Sequence, residues 1–325
     1  MTDPAIMESC TRLGSDFGLE VVEVSGSDAE QFLQRMISCD LHRVLEGAGL
    51  RGTLLDSKAK ILAYFDIYRQ SDQFLLVVEE PMHAGLINHL DRLVILEDVK
   101  ISSGQRGVIS IQGPNAPTLV EQITTLRPVQ FLQTASWRGG LVVARTRSPE
   151  AGVDLILPLE LIDEIEQRLD QEGVVTSSPE ATERARIESG FPRSGQDVTE
   201  RSMPPEVGLD DAISYDKGCY AGQEVLARIR TYGHVNRQLR RIEFQFPEGI
   251  STSSVAPGDA LHSSDGEGKS AGKITSVARS ENGISLMASV RKNHIDEGTV
   301  LCWQGVSDDG SSLKLSGEVR FPFRP

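Results

Sequence analysis

The chain has 325 residues, 39% hydrophobic and 25% charged, with 47 acids against 33 bases and a formal net charge of −14. That length predicts two or three domains with sizeable cores, and the composition excludes a disordered or membrane-embedded chain. So acidic a protein is not a bulk duplex-DNA binder, whose affinity comes mostly from cationic surface, although one local basic patch stays open.

In chain order, Leu19–Val24 predicts a strand and Ser27 opens a helix with Phe32, Leu33, Met36 and Ile37 on one face. Strands follow at Gly52–Leu55, Ile61–Arg69 and Phe74–Val78, then a helix from Pro81 with Leu86, Ile87, Leu90 and Leu93 on one side. Val99–Ser102 and Val108–Gln112 read as strands, and a short helix starts at Pro114–Pro117. A second round has strands at Leu141–Ala144 and Val153–Leu157 and a helix over Leu159–Leu169. Ser178-Pro179-Glu180 is a cap, a first-turn proline and an acid, which predicts a helix running to about Glu188 and stopping at Gly190. These alternations predict an α+β body of split β-α-β units. After about Gln238 the texture changes to short strands (Arg241–Phe246, Lys273–Ala278, Ile284–Val290) between Pro, Gly, Ser and Asp clusters. That predicts a small all-β domain over 239–325 behind a core of 1–238.

Gly47-Ala48-Gly49-Leu50-Arg51-Gly52 has the G-x-G-x-x-G spacing, but a strand is expected after it where a dinucleotide site needs a helix. Gly266-Glu267-Gly268-Lys269-Ser270 lacks the first glycine of a phosphate-binding loop, Ser263 standing there instead. The six histidines have no metal-ligand spacing, so no metal site is expected. Cys10, Cys39, Cys219 and Cys302 form no C-x-x-C pair, and Met1–Ala5 lacks the basic and apolar regions of a secretory signal. With no long apolar run either, a reduced, cytoplasmic protein without a membrane span is expected.

The stretch from Lys217 to Arg241 holds six basic residues (Lys217, Arg228, Arg230, Arg237, Arg240, Arg241) against Glu224 alone. Such a reversal of the overall charge reads either as a solvated face or as a site for an anionic ligand. Inside it, Lys217-Gly218-Cys219-Tyr220-Ala221-Gly222-Gln223-Glu224 puts two glycines around a cysteine, just before a helical pattern with Val225, Leu226 and Ile229 on one face. A cation two residues away and a helix N-terminus both favour a thiolate, so Cys219 reads as a reactive thiol tuned by Lys217, against the alternative of an inert buried cysteine. Glu188 falls at a helix C-terminus, where the macrodipole disfavours a negative charge. It is either a frayed surface acid or a carboxylate placed to accept from a flat, N–H-bearing ring.

Three segments now carry a resemblance: Arg186-Ile187-Glu188-Ser189-Gly190-Phe191-Pro192, Pro204-Pro205-Glu206-Val207-Gly208-Leu209 and the octapeptide from Lys217 to Glu224. Together they resemble the signature of the YgfZ family, folate-binding relatives of the glycine-cleavage T-protein, the tetrahydrofolate-dependent aminomethyltransferase. Phe32-Leu33-Gln34, Leu54-Leu55-Asp56 and Gly272-Lys273-Ile274-Thr275-Ser276 extend the likeness over most of the chain. The resemblance implies interleaved ferredoxin-like subdomains with a C-terminal β-barrel, around a central folate channel, and tetrahydrofolate or a one-carbon derivative as cofactor. It implies that Glu188 grips the pterin ring, that Tyr68 lines the folate site with Tyr220, and that an arginine after the octapeptide, Arg237 ahead of Arg228, meets the anionic glutamate tail. The function implied is support of iron–sulfur cluster assembly or repair, and so of iron–sulfur enzymes including those that modify tRNA, with iron–sulfur proteins or their assembly factors as partners. Two departures qualify it. Ala63 and Tyr64 stand where the T-protein carries an aspartate pair, the second of them catalytic, which disfavours the alternative of an aminomethyltransferase-like enzyme; a non-enzymatic folate sensor or scaffold is the other alternative. Ala59 stands in Lys58-Ala59-Lys60 where the family usually has glycine, which bears on the shape of that turn.

Overall fold

The structure, a computed structural model, describes residues 10–14, 17–233, 235–246, 253–264, 270–280 and 283–321. Met1–Ala5 and Gly266–Lys269 lie outside the described residues. The elements begin β1 (Thr11–Arg12), β2 (Leu19–Ser25), α1 (Ala29–Met36), β3 (Gly49–Leu55), β4 (Ile61–Gln70), β5 (Gln73–Glu79), α2 (Glu80–Asp91) and β6 (Lys100–Ser103). They continue with β7 (Arg106–Gln112), α3 (Ala116–Thr124), β8 (Thr134–Trp137), β9 (Gly140–Ala144), β10 (Gly152–Pro158), α4 (Leu159–Gln171), β11 (Val175–Thr176) and α5 (Pro179–Glu188). The last are α6 (Gln223–Tyr232), β12 (Arg237–Gln245), β13 (Ala260–Ser263), β14 (Ser270–Ser280), β15 (Gly283–Arg291), β16 (Val300–Val306) and β17 (Ser312–Arg320). Among the described residues no helix is long and apolar enough to cross a membrane.

Two compact units result: Met1–Thr182 with Leu209–Arg228, and Glu183–Gly208 with Ile229–Arg324. The change in sequence texture near 238 therefore does not mark a single cut, since 183–208 joins the barrel unit. The physical reason is Asp197, whose carboxylate accepts hydrogen bonds from Thr275 and Ser276 of β14.

In the first unit, one sheet runs β3-β4-β5-β2-β6 and the other β11-β1-β7-β10-β9-β8. β1 precedes the first sheet in sequence yet pairs with β7 and β11 in the second, which interleaves the two split β-α-β subdomains. Strand β4 shows how they stack. Successive side chains of a strand point to opposite faces. Ala63, Phe65 and Ile67 pack with Phe32 and Leu33 of α1 and Leu86 and Leu90 of α2. Tyr68, on the other face, joins Val21, Leu75 and Val77 against Leu132, Leu141, Val143 and Ile156 of the second sheet. Helices α3 and α4 cover the far side with Leu119, Val120, Ile165 and Leu169. A strand buried on both faces reads as a near-continuous apolar run, interrupted over Ile61–Tyr68 by Asp66 alone, which is why this strand is so plain in the sequence.

The inter-sheet layer also holds charge. Asp66 accepts from Arg145 at 2.6 Å, with side chains 5% and 2% exposed, and Arg147 lies 2.7 Å from Asp154, at 3% and 1%. An unpaired ion there costs several kcal/mol, and the two pairs cancel. The Gly47–Gly52 motif is also accounted for by packing. A Cβ on Gly49 would sit 2.4 Å from the Tyr68 ring, and one on Gly52 would sit 2.8 Å from the Phe65 ring, so both glycines make room for aromatics across the β3–β4 ladder.

In the second unit, β12-β15-β14-β13-β16-β17 close into a barrel, with β17 returning to β12. Closure leaves no free sheet edge. Ile242, Phe244, Leu286, Val290, Leu301, Trp303 and Leu315 fill the interior. Strands β13, β16 and β17 lie beyond the expected ones. Outside the barrel, Arg186 of α5 is 1% exposed and meets Asp197 at 2.7 Å and Glu183 at 2.5 Å. Removing one partner of a buried pair costs about 3–5 kcal/mol. Asp197→Ala should therefore destabilise this unit by about that much in urea unfolding, whereas an effect within experimental error would mean that the pair does not anchor 183–208.

Candidate functional site

The octapeptide enters on a pinned lysine. Lys217 Nζ donates to the Ile37 and Cys39 carbonyls at 2.8 and 2.7 Å, and its ammonium lies 5.4 Å from the centre of the Tyr220 ring. The Tyr220 hydroxyl donates to the Ser214 carbonyl at 2.9 Å, and Gln223 Nε2 donates to the Lys217 carbonyl at 3.3 Å. Gly222 has φ +80°, and a Cβ there would lie 2.7 Å from Ala59 Cα and 2.8 Å from the Asp56 carbonyl oxygen. The octapeptide backbone thus lies directly on the β3–β4 turn, at a distance only glycine allows. That turn keeps its tight shape despite the alanine: Ala59 takes φ +59° and is fully buried, an uncommon conformation for a residue with a Cβ. Asp56 stabilises it by accepting from the Lys58 and Lys60 amides, both at 2.8 Å.

Lys217 has a structural role of its own. Burial lowers the Lys217 ammonium to about 8, and the groups opposing that shift are Cys39 and Asp40. Cys39 in turn is pushed up to about 12 by its own burial, so it stays a thiol at neutral pH. Lys217 is a structural pin that joins the octapeptide to the segment after α1. Cys219 is exposed, while Cys10, Cys39 and Cys302 are buried.

Glu188 closes α5 in the second unit. Gly190, at φ +67°, ends the helix: its N–H donates to the Ile187 carbonyl at 2.9 Å, and the Phe191 N–H donates to the Arg186 carbonyl at 3.0 Å. This paired arrangement is the Schellman stop, so the sequence fixes where the helix ends and which residue sits in its last turn. The Glu188 carbonyl accepts from Arg241. Its carboxylate is half-buried and has no hydrogen-bond partner among the described residues. Burial raises its pKa, opposed by Arg184 and Arg241 and reinforced by Glu243. Nearby, the Nε atoms of Arg184 and Arg241 are buried without an acceptor. This corner therefore holds an unanswered carboxylate beside unanswered N–H donors.

The other expected residues are dispersed. Tyr68 is 1% exposed and packed between the two sheets. Arg228 is exposed on α6. Arg237 is exposed and lines a cavity of about 910 Å³ on the second unit. The remaining three bases of the Lys217–Arg241 run divide: Arg230 is exposed on α6, whereas Arg240 is 9% exposed and donates to the Ile295 carbonyl at 2.9 Å and Arg241 donates to the Glu188 carbonyl, so these two are structural. At Ala63 and Tyr64, where the resemblance implies an acid pair in its relatives, Ala63 faces the α1–α2 core and the Tyr64 hydroxyl donates to Glu79. Asp66, two residues on, is committed to Arg145. Sequence reasoning missed Asp66, Arg145, Arg147, Asp154, Arg186 and Asp197 as a group. The available signal was a lone acid in apolar strands, as in Tyr64-Phe65-Asp66-Ile67-Tyr68 and Gly152-Val153-Asp154-Leu155-Ile156.

The family model for the GCVT N-terminal domain matches residues 17–217. The chain belongs to this family. Among its relatives, the tRNA-modifying protein YgfZ of Aliivibrio fischeri (strain MJ11) is 23% identical over 291 residues, covering 86% of this chain and 84% of that protein. An aminomethyltransferase of Rubrobacter xylanophilus is 29% identical over 222 residues, covering 65% of this chain and 59% of that protein. The solved aminomethyltransferase T of the glycine cleavage system from Bartonella henselae superposes with a TM-score of 0.82 at 20% identity, over 100% of this chain and 91% of that one. The family match covers the interleaved core, and the likeness in fold to the Bartonella structure extends over the terminal barrel, as the resemblance implied.

The exposure pattern sets an expectation for the thiols. A colorimetric thiol reagent should titrate one cysteine quickly in the native protein and all four after denaturation, with peptide mapping assigning the fast one to Cys219. Fast labelling of Cys39 would show that the segment held by Lys217 opens readily. Lys217→Ala, which strands two carbonyls, should cost about 2–3 kcal/mol.

Proposed function

We propose that this protein binds a reduced folate and, through that site and Cys219, supports iron–sulfur enzymes that modify tRNA. The observation that carries the folate reading is the half-buried Glu188 carboxylate with no partner among the described residues. A pterin ring offers an amino group and a ring N–H side by side, and a carboxylate accepts such a pair with both oxygens. The desolvation that raises the Glu188 pKa also strengthens those bonds once they form. The tRNA reading is supported by the relatives named as tRNA-modifying proteins and by the octapeptide, which holds its single exposed thiol on a buried lysine anchor. Cys219 is the group we assign to contact with an iron–sulfur client, in the cytoplasm.

Aminomethyl transfer is the weaker reading. It needs a carboxylate beside the reacting nitrogen to handle charge and protons. The corresponding strand offers Tyr64, whose hydroxyl is engaged by Glu79, and Asp66, held by Arg145. An assay with aminomethylated carrier protein and tetrahydrofolate should show no turnover above background; clear turnover would make the protein a transferase.

Hydrogen bonds to a charged group contribute about 1.5–3 kcal/mol, so Glu188→Ala should weaken tetrahydrofolate binding by about 10- to 100-fold in calorimetry while the protein stays folded. Because the carboxylate must be ionised to accept both N–H groups, affinity should fall as pH drops through a value above the ordinary 4.5. Glu188→Gln should bind weakly at every pH and lose that dependence. Equal affinity in wild type and Glu188→Ala would remove Glu188 from the site. Cys219→Ala should keep folate affinity yet fail to restore iron–sulfur enzyme activity in cells lacking the protein, and full restoration would leave only a scaffold role.

A further inference from the structure

The outer face of the barrel carries a cluster of cations of which the folate reading uses Arg237 alone. Along β12 and β15, Arg237 stands directly opposite Arg291. One step further along the same face, Ser289 of β15 lies between Leu239 of β12 and Lys273 of β14. Residues two apart on a strand share a face, so Arg237, Arg291 and Lys273 project from three neighbouring strands to the same side. Val290, the residue between Ser289 and Arg291, points into the barrel core, which fixes that side as the outer one. All three cations are exposed, and none has an ion-pair partner among the described residues.

Like charges directly opposite each other destabilise a ladder, and β-sheets ordinarily place an acid there. In a chain with fourteen more acids than bases, leaving three adjacent cations unanswered is the less expected arrangement. The face is also concave. A cavity of about 910 Å³ lies between it and the 195–207 segment, lined by Arg237, Leu239, Lys273 and Ser289 together with Arg201 and Glu200. A smaller one of about 190 Å³ adjoins it and adds Arg291. The other two acids of the wall are engaged: Asp197 by Arg186, Thr275 and Ser276, and Glu206 by the Met203 amide. No aromatic residue lines either cavity.

We infer that this cationic hollow on β12, β15 and β14 binds the phosphate backbone of RNA, and that the RNA is the tRNA whose modification the protein serves. The inference rests on the proposed tRNA role and gives it a surface. The chemistry selects the ligand. Three fixed cations answer consecutive anionic groups, and the lack of an aromatic platform excludes recognition by base stacking. Phosphate contacts position a nucleic acid without reading its sequence. The hydroxyls and amide of Thr199, Ser202, Ser289 and Asn236 in the same wall can donate to and accept from 2′-hydroxyls, which DNA lacks. The net negative charge of the rest of the protein repels nucleic acid elsewhere, so binding is confined to this hollow.

The test is fluorescence anisotropy with an unmodified tRNA transcript across a series of salt concentrations, on wild type and on Arg237→Ala/Lys273→Ala/Arg291→Ala. Each lost phosphate contact lowers the slope of log affinity against log salt by about 0.7–0.9, so the triple variant should lose about 2–3 from that slope and bind about 10- to 100-fold more weakly. Lys100→Ala/Lys314→Ala, which removes two exposed charges elsewhere, should bind as wild type does. Thermal unfolding of the triple variant should match wild type, and tetrahydrofolate calorimetry of Lys273→Ala/Arg291→Ala, which leaves Arg237 in place, should match it too, showing that the fold and the folate site survive; Lys273→Glu alone gives a second variant with the same expected direction. If wild type binds tRNA and the triple variant binds with the same affinity and salt slope, this surface is not the site, though the tRNA role stands. If wild type fails to bind the transcript at low salt, the inference is overturned while folate binding is judged separately by calorimetry. If the variant loses affinity for oligoglutamate but not for tRNA, the hollow takes a carboxylate chain instead and the inference again fails.

Discussion

Arg186 and Asp197 bring full charges together at 2.7 Å where neither side chain has more than 1% exposure, and much of the second unit is arranged to make that tolerable. A buried guanidinium has five donors to satisfy. Here Glu183, Asp197 and the Phe191 carbonyl take four of them. Asp197 spends its other oxygen on Thr275 and Ser276, which fastens 183–208 to β14. Once Arg186 is fixed, the last turn of α5 is fixed with it, and Glu188 two residues on is held at the helix end beside Arg184 and Arg241. The same segment then forms one wall of the hollow over β12, β14 and β15. An interaction with no chemistry of its own thereby sets the position of both features to which we assign ligands.

The first unit uses a comparable device for the octapeptide. Lys217 gives up its mobility to two backbone carbonyls, and Gly222 rests against the Asp56–Ala59 backbone. With both ends held, the four residues between them have little freedom, and Cys219 is left exposed on the loop. Two of the motif's residues are thus spent on holding the third. Ala59 shows how strongly the contact governs the turn: the backbone keeps a left-handed conformation there although the side chain disfavours it.

Much of the fold was legible because its signals are local. The stop of α5 at Gly190 follows from a glycine in the left-handed region, and the Ser178-Pro179-Glu180 start from capping chemistry. Strands β2, β4, β5, β7, β9 and β10 announce themselves as apolar runs. Strands β1 and β11, of two residues each, carry no such signal, β13 is only four residues long, and β17 alternates apolar residues with serines, a glycine and charges. The membership of 183–208 in the barrel unit is illegible for a related reason: this segment joins the barrel through side chains distant in sequence, which a change of texture cannot register.

For the site, the sequence by itself determined which residues are available: the octapeptide with its cysteine, the acid that closes α5, and a basic run within an acidic chain. These follow from residue type and spacing, which tertiary structure does not alter. Only the tertiary structure decided what each of them does. Lys217 turns to the carbonyls of Ile37 and Cys39, more than 170 residues away, instead of to its neighbour Cys219. Arg240 and Arg241 are consumed by backbone carbonyls, while Arg237 is joined by Lys273 and Arg291 from other strands. The reason is that a charge finds its partner through space, across strand registers and loop packings, and the partner's place in the sequence carries no trace of that distance.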